Sequence, residues 1–275
     1  AYFVLCFVSI QFALHYFFEN IDSLTGILSN ISETCKVGGY FIGTCYDGNK
    51  LFNLLEEIDT NNSVTITSED DRIMWDIKKI YKILLKKKIK VNVLINNASV
   101  NYQIDSKHKK LANKVLLETF DTKIWKKDLD VGLLGSLNCI KVFGNAMAKN
   151  KYGIILNIAS DLSLIAPDNR IYNSNNKISL VKPVSYSVVK HGITGLTRYV
   201  AAYWARNNVR CNAIAPGGVF NNQPKNFLNK VSKLIPMGRL AKKGEYESSI
   251  LYLISDASSY MNGAVVSLDG GRTII

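Results

Sequence analysis

Two side chains that could move a proton stand one helical turn apart in the stretch YSVVKHG, residues 186 to 192. Residues four apart lie on one face of a helix, so Tyr186 and Lys190 are predicted to point into the same cleft. A phenol has a pKa near ~10, but an adjacent ammonium favours the phenolate and lowers that pKa. The spacing therefore predicts a tyrosine that acts as an acid or base near neutral pH.

Small and polar side chains follow two of the predicted strands. The run YGIILNIAS ends on Ser160, whose hydroxyl could hydrogen-bond a substrate oxygen, and the run KVNVLINNAS ends on Asn96, Asn97, Ala98 and Ser99. Ligands of open parallel sheets bind beside the carboxyl ends of the strands. The sequence therefore predicts one ligand cleft that these residues share with Tyr186. Taken alone, each motif is a weak signal, and the YxxxK spacing by itself favours a surface tyrosine beside a solvated lysine. The order and context of the motifs together favour a site.

The elements that must position this cleft alternate regularly along the chain. Helical patterns are predicted near residues 22–35, 50–58, 71–87, 129–149, 185–206 and 245–253. Between them lie short apolar runs that are typical of strands covered on both faces: FVLCFVSI, GGYFIGTCY, SVTITS, KVNVLINNAS, YGIILNIAS, VRCNAIAPGG and AVVSLDGG. This rhythm predicts an α/β fold with a Rossmann-like, doubly wound parallel sheet and flanking helices.

Composition limits the class of protein. A chain of 275 residues can bury the core of one large α/β domain or of two small ones. Its five cysteines include no CxxC pair, which argues against a disulfide framework and a zinc site and predicts a reducing, cytoplasmic setting. The uncharged run from Ala1 to Phe18 has the length of a membrane anchor. However, Gln11, His15 and the lack of a preceding basic residue favour a buried strand that leads into a helix, with no membrane partner.

Charge divides the chain into two pieces. Residues 1–80 carry five Lys and Arg against eleven Asp and Glu, whereas residues 81–275 carry 29 against 11. The lysine-rich stretch IKKIYKILLKKKIK could bind the phosphates of a nucleic acid. Its apolar residues fall at helical spacing, which leaves the lysines on the opposite face and favours a solvated helix face over a nucleic-acid site. The excess of positive charge also favours anionic ligands such as nucleotides.

From about Lys82 to Ile275 the chain resembles the short-chain dehydrogenase/reductase family, through the motifs LINNAS, NIAS, YSVVK, AIAPGG and VVSLDGG. The resemblance implies NAD or NADP as cofactor, hydride transfer at a hydroxyl or carbonyl carbon of a small-molecule substrate, and a homo-oligomer. It assigns Tyr186 as general acid/base, Lys190 as the group that lowers its pKa and binds the nicotinamide ribose, and Ser160 as the group that orients the substrate. The residues it assigns to cofactor binding are Asn96, Asn97, Ala98, Tyr186, Lys190, Pro216, Gly217, Gly218 and Val219.

The chain departs from this family's pattern at three places. Gly132, in DLDVGLLGS, stands where the family commonly has an Asn that serves a proton relay. The loop between Ser160 and Tyr186 is long, which indicates an insertion that shapes the substrate pocket. Its IAPDNRIY piece and the later GGVFNNQP resemble members that act in nucleotide-sugar and surface-glycan biosynthesis, so a sugar-like polyol is the expected substrate. The Gly-rich turn TGxxxGxG does not occur before Lys82, and the sequence does not distinguish NAD from NADP.

The segment before Lys82 resembles a different family. VSIQFALHYFFEN, NISETCKVGGYFIGTCYDGNKLFNLLEE and RIMWDIKKIY are similar to the middle of an mRNA cap guanine methyltransferase of the large-DNA-virus type, over about Val4 to Tyr81. This resemblance implies S-adenosylmethionine and capped RNA as ligands, near Gln11, Phe12, His15 and Tyr16. The alternative is an apolar helix with incidental polar atoms, because the GxGxG loop of that family is absent.

Two domains are therefore predicted, a partial methyltransferase-like segment at residues 1–81 and a reductase catalytic region at residues 82–275. The first could pair its strands with the KVNVLINNAS strand and complete a seven-stranded sheet. Two functions compete. An oxidoreductase is favoured by the catalytic residues, and an inactive or RNA-associated fusion protein is favoured by the missing cofactor loops and the positive charge.

Overall fold

The computed structural model describes residues 4–8, 40–44, 81–82, 84–86, 88, 90–100, 109–173 and 180–275. Its strands are β1 (Val4–Val8), β2 (Tyr40–Thr44), β3 (Val93–Asn96), β4 (Gly153–Ile158), β5 (Val209–Pro216) and β6 (Val265–Leu268). All neighbouring pairs are parallel, and the order across the sheet is β2-β1-β3-β4-β5-β6. The predicted Rossmann-like parallel sheet is confirmed.

The first part of the chain contributes two strands to this sheet. Strand β1 pairs with β3 on one side, from Leu5 opposite Val93 to Val8 opposite Asn96, and with β2 on the other. The expected pairing with the KVNVLINNAS strand is therefore confirmed. The run SVTITS, which would supply a seventh strand, lies outside the described residues.

Strands β3 and β4 consist of apolar runs because both of their faces are covered. Every residue of β3 and of β4 is buried. On one face Leu94 and Ile155 pack into a cluster with Phe143 and Met147, and on the other face a second cluster gathers around Tyr246. Helices on both faces make the sheet doubly wound.

The helices are α1 (Lys109–Lys114), α2 (Thr122–Lys149), α3 (Val184–Trp204), α4 (Lys225–Val231) and α5 (Glu247–Ile254). Helix α2 begins seven residues before the predicted start at Leu129, because the side chain of Asp121 caps it by accepting a hydrogen bond from the backbone N–H of Lys123. Helix α3 begins directly after Pro183, close to the predicted start.

Helix α2 is the one described helix that is long and apolar enough, by length and composition alone, to cross a membrane. Over half of its most apolar window, 56%, is buried inside the fold. Cys139, Phe143 and Met147 from this helix belong to the core cluster beside β3 and β4. Its apolar character is therefore that of a core helix.

The described helical residues of the lysine-rich stretch, 81–82 and 84–86, include one buried side chain. Leu84 is 5% exposed and belongs to the core cluster on the α2 side of the sheet, whereas Lys82 and Lys86 are exposed. This distribution matches the solvated-face interpretation of the lysines.

Candidate active site

Helix α3 holds Tyr186 and Lys190 at the carboxyl end of β4. The Nζ atom of Lys190 donates a 2.8 Å hydrogen bond to the carbonyl oxygen of Ile158, the last residue of that strand. The same atom lies 5.6 Å from the centroid of the Tyr186 ring. Lys190 is 4% exposed and Tyr186 is half-buried, so the lysine lies deeper in the cleft than the phenol. The structure thus brings together the two residues that the sequence placed on one helix face.

A second amino group lies close to the same ring. The Nζ atom of Lys182 is 3.8 Å from the centroid of the Tyr186 ring, which is the geometry of a cation–π contact. Burial lowers the pKa of Lys182 to about 8. Burial, with repulsion from Lys182, lowers the pKa of Lys190 to about 7. Both lysines can therefore exchange a proton near neutral pH.

Ser160 lies where strand β4 ends and is 5% exposed. Its hydroxyl donates a 2.8 Å hydrogen bond to Oδ1 of Asp161 and accepts a 3.2 Å bond from the backbone N–H of Leu162. To donate to a substrate oxygen, the hydroxyl hydrogen must rotate away from Asp161. The Asp161 carboxylate therefore holds the serine in place and competes with the substrate for its hydrogen.

A buried ion pair supports Asp161 from the far end of the chain. Nη1 of Arg272 lies 2.7 Å from Oδ2 of Asp161, and the two side chains are 9% and 6% exposed. Arg272 reaches this position through the turn after β6, where Asp269 accepts hydrogen bonds from the backbone N–H groups of Gly271 and Thr273. The DGG motif at the end of the chain thus orders the arginine that holds the carboxylate beside Ser160.

Asn96 ends β3 inside a buried polar network. Its Nδ2 donates to Oδ1 of Asn157 at 2.8 Å, and Nδ2 of Asn157 donates to Oγ1 of Thr197 on α3 at 2.8 Å. Oδ1 of Asn96 is buried and accepts no hydrogen bond from the part of the chain that the structure describes. Buried amide oxygens normally accept a hydrogen bond, and the hydroxyl group of a bound cofactor could donate one here. Asn97 and Ala98 follow directly and are also buried.

The PGG segment leaves β5 in close contact with its neighbours. A Cβ atom on Gly217 would lie 2.9 Å from Cα of Asp269, and one on Gly218 would lie 2.9 Å from Cδ2 of Leu240. The carbonyl oxygen of Gly217 accepts a 3.0 Å hydrogen bond from the Tyr246 hydroxyl. Pro216 and Val219 flank these glycines at the same edge of the sheet as Ser160. Only glycine leaves room for the backbone at residue 217.

Gly132 occupies a π-helical turn of α2, at residues Asp130–Leu134, that faces α3. A Cβ atom there would lie 2.4 Å from Cγ1 of Val189, the neighbour of Lys190. The carbonyl oxygen of Gly132 accepts a 2.9 Å hydrogen bond from Ser136. An asparagine at this position would collide with Val189 on the helix that carries Tyr186 and Lys190. The close contact between α2 and α3 thus favours glycine at residue 132.

Replacing Gly132 with alanine is expected to lower the free energy of unfolding by about 1–3 kcal/mol, because Val189 is buried and a β-branched side chain turns stiffly in a helix. The matched control is Gly195→Ala on α3, where a Cβ meets nothing within 4 Å. That change should raise stability by roughly 0.5–1 kcal/mol, because alanine favours the helix. Urea unfolding of both variants checks this, and equal effects at the two sites would contradict the packing argument.

The long insertion between Ser160 and Tyr186 is tied down at both ends of its described part. Asn173 donates from Nδ2 to the carbonyl oxygen of Leu180 at 2.7 Å and accepts at Oδ1 from the Leu180 N–H at 2.9 Å. Tyr172 stacks on Phe227 of α4, with ring centroids 5.7 Å apart. The described part of the insertion therefore packs against α4 through Tyr172.

The sequence predicted some of the residues at this site, and others became apparent only in the structure. Gln11, Phe12, His15 and Tyr16 lie outside the described residues. Lys182, Asp161 and Arg272 were missed, although Lys182 stands four residues before Tyr186, just as Lys190 stands four after it. That symmetric spacing was the available signal for Lys182. Among the residues that the structure covers, no group of three or more His, Cys, Asp or Glu could hold a metal ion.

Comparison with curated proteins gives relatives that cover most of the chain. It is 30% identical over 218 residues to an NAD-dependent glycerol dehydrogenase of Listeria innocua, covering 77% of this chain and 74% of the relative. It is 31% identical over 191 residues to a galactitol 2-dehydrogenase (L-tagatose-forming) of Cereibacter sphaeroides, covering 67% and 66%.

Solved structures share the fold. A gluconate 5-dehydrogenase from Burkholderia cenocepacia, in complex with NADP and tartrate, superposes with a TM-score of 0.69 at 20% identity, covering 100% of this chain and 95% of that one. A short-chain dehydrogenase from Leptospira borgpetersenii with bound NAD⁺ superposes with a TM-score of 0.64 at 25% identity, covering 82% and 88%.

A family model described as enoyl-(acyl carrier protein) reductase matches residues 23–273. This match runs across the boundary predicted near residue 81, and nothing in the comparisons supports a cap methyltransferase segment, S-adenosylmethionine or a viral fusion. The family match and these relatives agree with the sheet order and with the position of Ser160, Tyr186 and Lys190 at the carboxyl end of β4. The chain therefore belongs to the short-chain dehydrogenase/reductase family of oxidoreductases.

Proposed function

We propose that this protein is an NAD(P)-dependent dehydrogenase that transfers hydride at a hydroxyl or carbonyl carbon of a small sugar-like substrate. The observation that carries the proposal is the meeting of Tyr186, Lys190 and Ser160 at the carboxyl end of β4. A phenol, a buried amine and an oriented hydroxyl in one cleft can bind and deprotonate an alcohol, or bind and protonate a carbonyl oxygen.

The residues along the strand ends suit a dinucleotide cofactor. Asn96, with its buried amide oxygen, would accept a hydrogen bond from a cofactor hydroxyl, and Lys190 would bind the nicotinamide ribose. The segment Pro216–Val219 would lie beside the nicotinamide, because it leaves β5 at the same edge of the sheet as Ser160. When bound, a nicotinamide cofactor accepts or supplies the hydride.

The chain's own residues handle the substrate proton. Tyr186 takes the hydroxyl proton of an alcohol on its phenolate oxygen, or gives its phenol proton to a carbonyl oxygen in the reverse direction. Two ammonium groups near the ring, from Lys182 and Lys190, favour its charged form. Ser160 turns its hydrogen from Asp161 to the substrate oxygen and so orients the reacting carbon.

The substrate class is argued from the cleft and from the relatives. The glycerol and galactitol dehydrogenases that resemble this chain act on polyols, as their names state. The cleft offers the hydroxyl of Ser160 as a hydrogen-bonding group. A polyol or sugar derivative supplies the matching hydroxyl groups.

Titration with NADH and with NADPH, followed by nicotinamide fluorescence, tests the proposal first. Saturable binding of one or both is expected, and Lys190→Met should weaken it by about 10-fold or more through loss of a charge-assisted hydrogen bond. The matched control is Lys149→Met, which removes an exposed ammonium just before β4 begins, at the opposite edge of the sheet. A screen of polyols for cofactor reduction then follows. Absence of binding at millimolar NADH and NADPH would contradict the proposed function.

A further inference from the structure

The hydroxyl hydrogen of Ser160 is engaged by a charged acceptor. The Asp161 carboxylate can only accept hydrogen bonds, so the 2.8 Å contact between Oγ of Ser160 and Oδ1 of Asp161 makes the serine the donor. A hydrogen bond with one charged partner is roughly twice as strong as one between neutral groups. The carbonyl or hydroxyl oxygen of a substrate is neutral before hydride moves. A carboxylate of full charge would therefore keep the serine hydrogen away from such an oxygen.

Arg272 offsets the charge of this carboxylate. Its Nη1 donates a 2.7 Å hydrogen bond to Oδ2 of Asp161, the oxygen that Ser160 does not contact. The side chains of Arg272 and Asp161 are 9% and 6% exposed, so water screens the pair little. Because the guanidinium charge opposes the carboxylate charge at the serine hydrogen, Asp161 holds that hydrogen less firmly than an unpaired carboxylate would.

The two charges of the pair also oppose each other at neighbouring groups. Burial is the main cause that lowers the pKa of Lys182 to about 8; in addition, Asp161 raises that pKa and Arg272 lowers it. Burial raises the pKa of Tyr172 to about 12, and here too Arg272 lowers the pKa while Asp161 raises it. The pair therefore adds little net charge to its surroundings.

The turn after β6 holds Arg272 in this position. Gly270 and Gly271, which precede it, have φ angles of +67° and +90°, in the left-handed region that favours glycine. The carbonyl oxygen of Gly270 accepts a 3.1 Å hydrogen bond from the N–H of Met237, so the segment after α4 anchors the turn. Arg272 therefore reaches Asp161 from an anchored backbone, which lowers the entropy cost of forming the pair.

From these contacts we propose that Arg272 is a positioning residue of the reaction: by offsetting the charge of Asp161, it lets Ser160 release its hydrogen to the reacting oxygen of the substrate. The proposal rests on the proposed function and adds a residue to it. Asp161 keeps the serine in place, and Arg272 sets how firmly. The hydrogen bond from Ser160 to the substrate strengthens as negative charge develops on the reacting oxygen, so the hydrogen changes partner during the reaction. Without Arg272 the serine stays bonded to Asp161.

A cycle of unfolding measurements tests how firmly Asp161 holds Ser160, with neither cofactor nor substrate present. The variants are Ser160→Ala, Arg272→Gln and the two combined; glutamine removes the charge and keeps an N–H donor. Ser160→Ala should lower the urea midpoint about twice as much in the Arg272→Gln background as in the parent, because the carboxylate then depends more on the serine hydroxyl. Equal or smaller decreases in the Arg272→Gln background would overturn the proposal.

Steady-state kinetics test the consequence for turnover, with the best substrate among glycerol, D-threitol and galactitol. Arg272→Gln should lower kcat by about 10-fold and leave KM within about threefold, because the bond from Ser160 matters most in the transition state. Arg272→Lys, which keeps the charge, should recover most of kcat. The matched control is Arg206→Gln, which removes an exposed guanidinium before β5 begins, at the opposite edge of the sheet.

The Asp161→Asn background separates this role from a structural one. No carboxylate remains there for Arg272 to offset, so adding Arg272→Gln should change kcat by less than about threefold. This comparison leaves no buried carboxylate unpaired, so it holds even where Arg272→Gln alone fails to fold. A further loss of 10-fold or so in this background would mean that Arg272 acts by another route and would overturn the proposal. Failure of the parent to bind NADH and NADPH would instead contradict the proposed function, and the unfolding cycle would still decide whether Arg272 controls the bond between Ser160 and Asp161.

Discussion

Replacing Tyr186 with phenylalanine is expected to lower kcat/KM by about 10²- to 10⁴-fold, the range that general acid–base catalysis contributes. The variant loses the phenolic oxygen and nothing else. Its ring still offers a face to the ammonium of Lys182, which lies 3.8 Å from the centroid. Cofactor affinity and the thermal midpoint should therefore stay close to those of the parent, because neither depends chiefly on the phenol proton. Steady-state kinetics, fluorescence titration and circular dichroism measure the three quantities.

The matched control is Tyr199→Phe, which removes a phenolic oxygen from the exposed side of the same helix. That variant should turn over substrate like the parent. If Tyr186→Phe also kept kcat/KM within a few-fold of the parent's, the phenol could not be the acid or base. The chemistry of the cleft would then have to be assigned to another group.

The sheet and the pairing of Tyr186 with Lys190 could be predicted mainly from short stretches of sequence. A parallel strand that is buried on both faces must be a nearly continuous apolar run, and strands β3 and β4 are such runs bounded by Asn or Gly. The contact of Tyr186 with Lys190 follows from helical spacing alone, since residues four apart share a face. These features depend on short stretches, so they can be recognised without knowing the rest of the fold.

Features that depend on distant segments were not predictable. The ion pair between Asp161 and Arg272 joins residues 111 positions apart, and no local pattern marks either as the partner of the other. Gly132 looked like a missing relay residue in the sequence. The structure shows that its lack of a side chain lets Val189 approach, which only the packing of α2 on α3 reveals. The domain boundary at residue 81 stays a prediction.

Replacing Lys190 with methionine is expected to lower kcat/KM by at least about 100-fold while stabilising the fold at low pH. Activity falls because the cleft loses the buried amine that lies beside Tyr186 and is held by the Ile158 carbonyl. Stability changes because burial depresses the pKa of Lys190 from 10.5 to about 7 in the folded protein. Below pH 7 the folded protein must bury a charged amine. Methionine has a similar length and no charge, so it removes that cost.

The shifted pKa of Lys190 determines how the stability difference between Lys190→Met and the parent changes with pH. Above pH 7 the folded parent releases the Lys190 proton while the unfolded chain keeps it, so the cost of burial declines by about 1.4 kcal/mol per pH unit until about pH 10.5. At pH 6 the free energy of unfolding of Lys190→Met should therefore exceed the parent's by about 1–4 kcal/mol. This range allows for the loss of the hydrogen bond to the Ile158 carbonyl. The difference should be smaller at pH 8 and smaller again at pH 9. Urea unfolding at these pH values measures it, with Lys149→Met as the exposed control. A difference that stayed constant or grew with pH would mean that the amine of Lys190 is not buried in the folded protein.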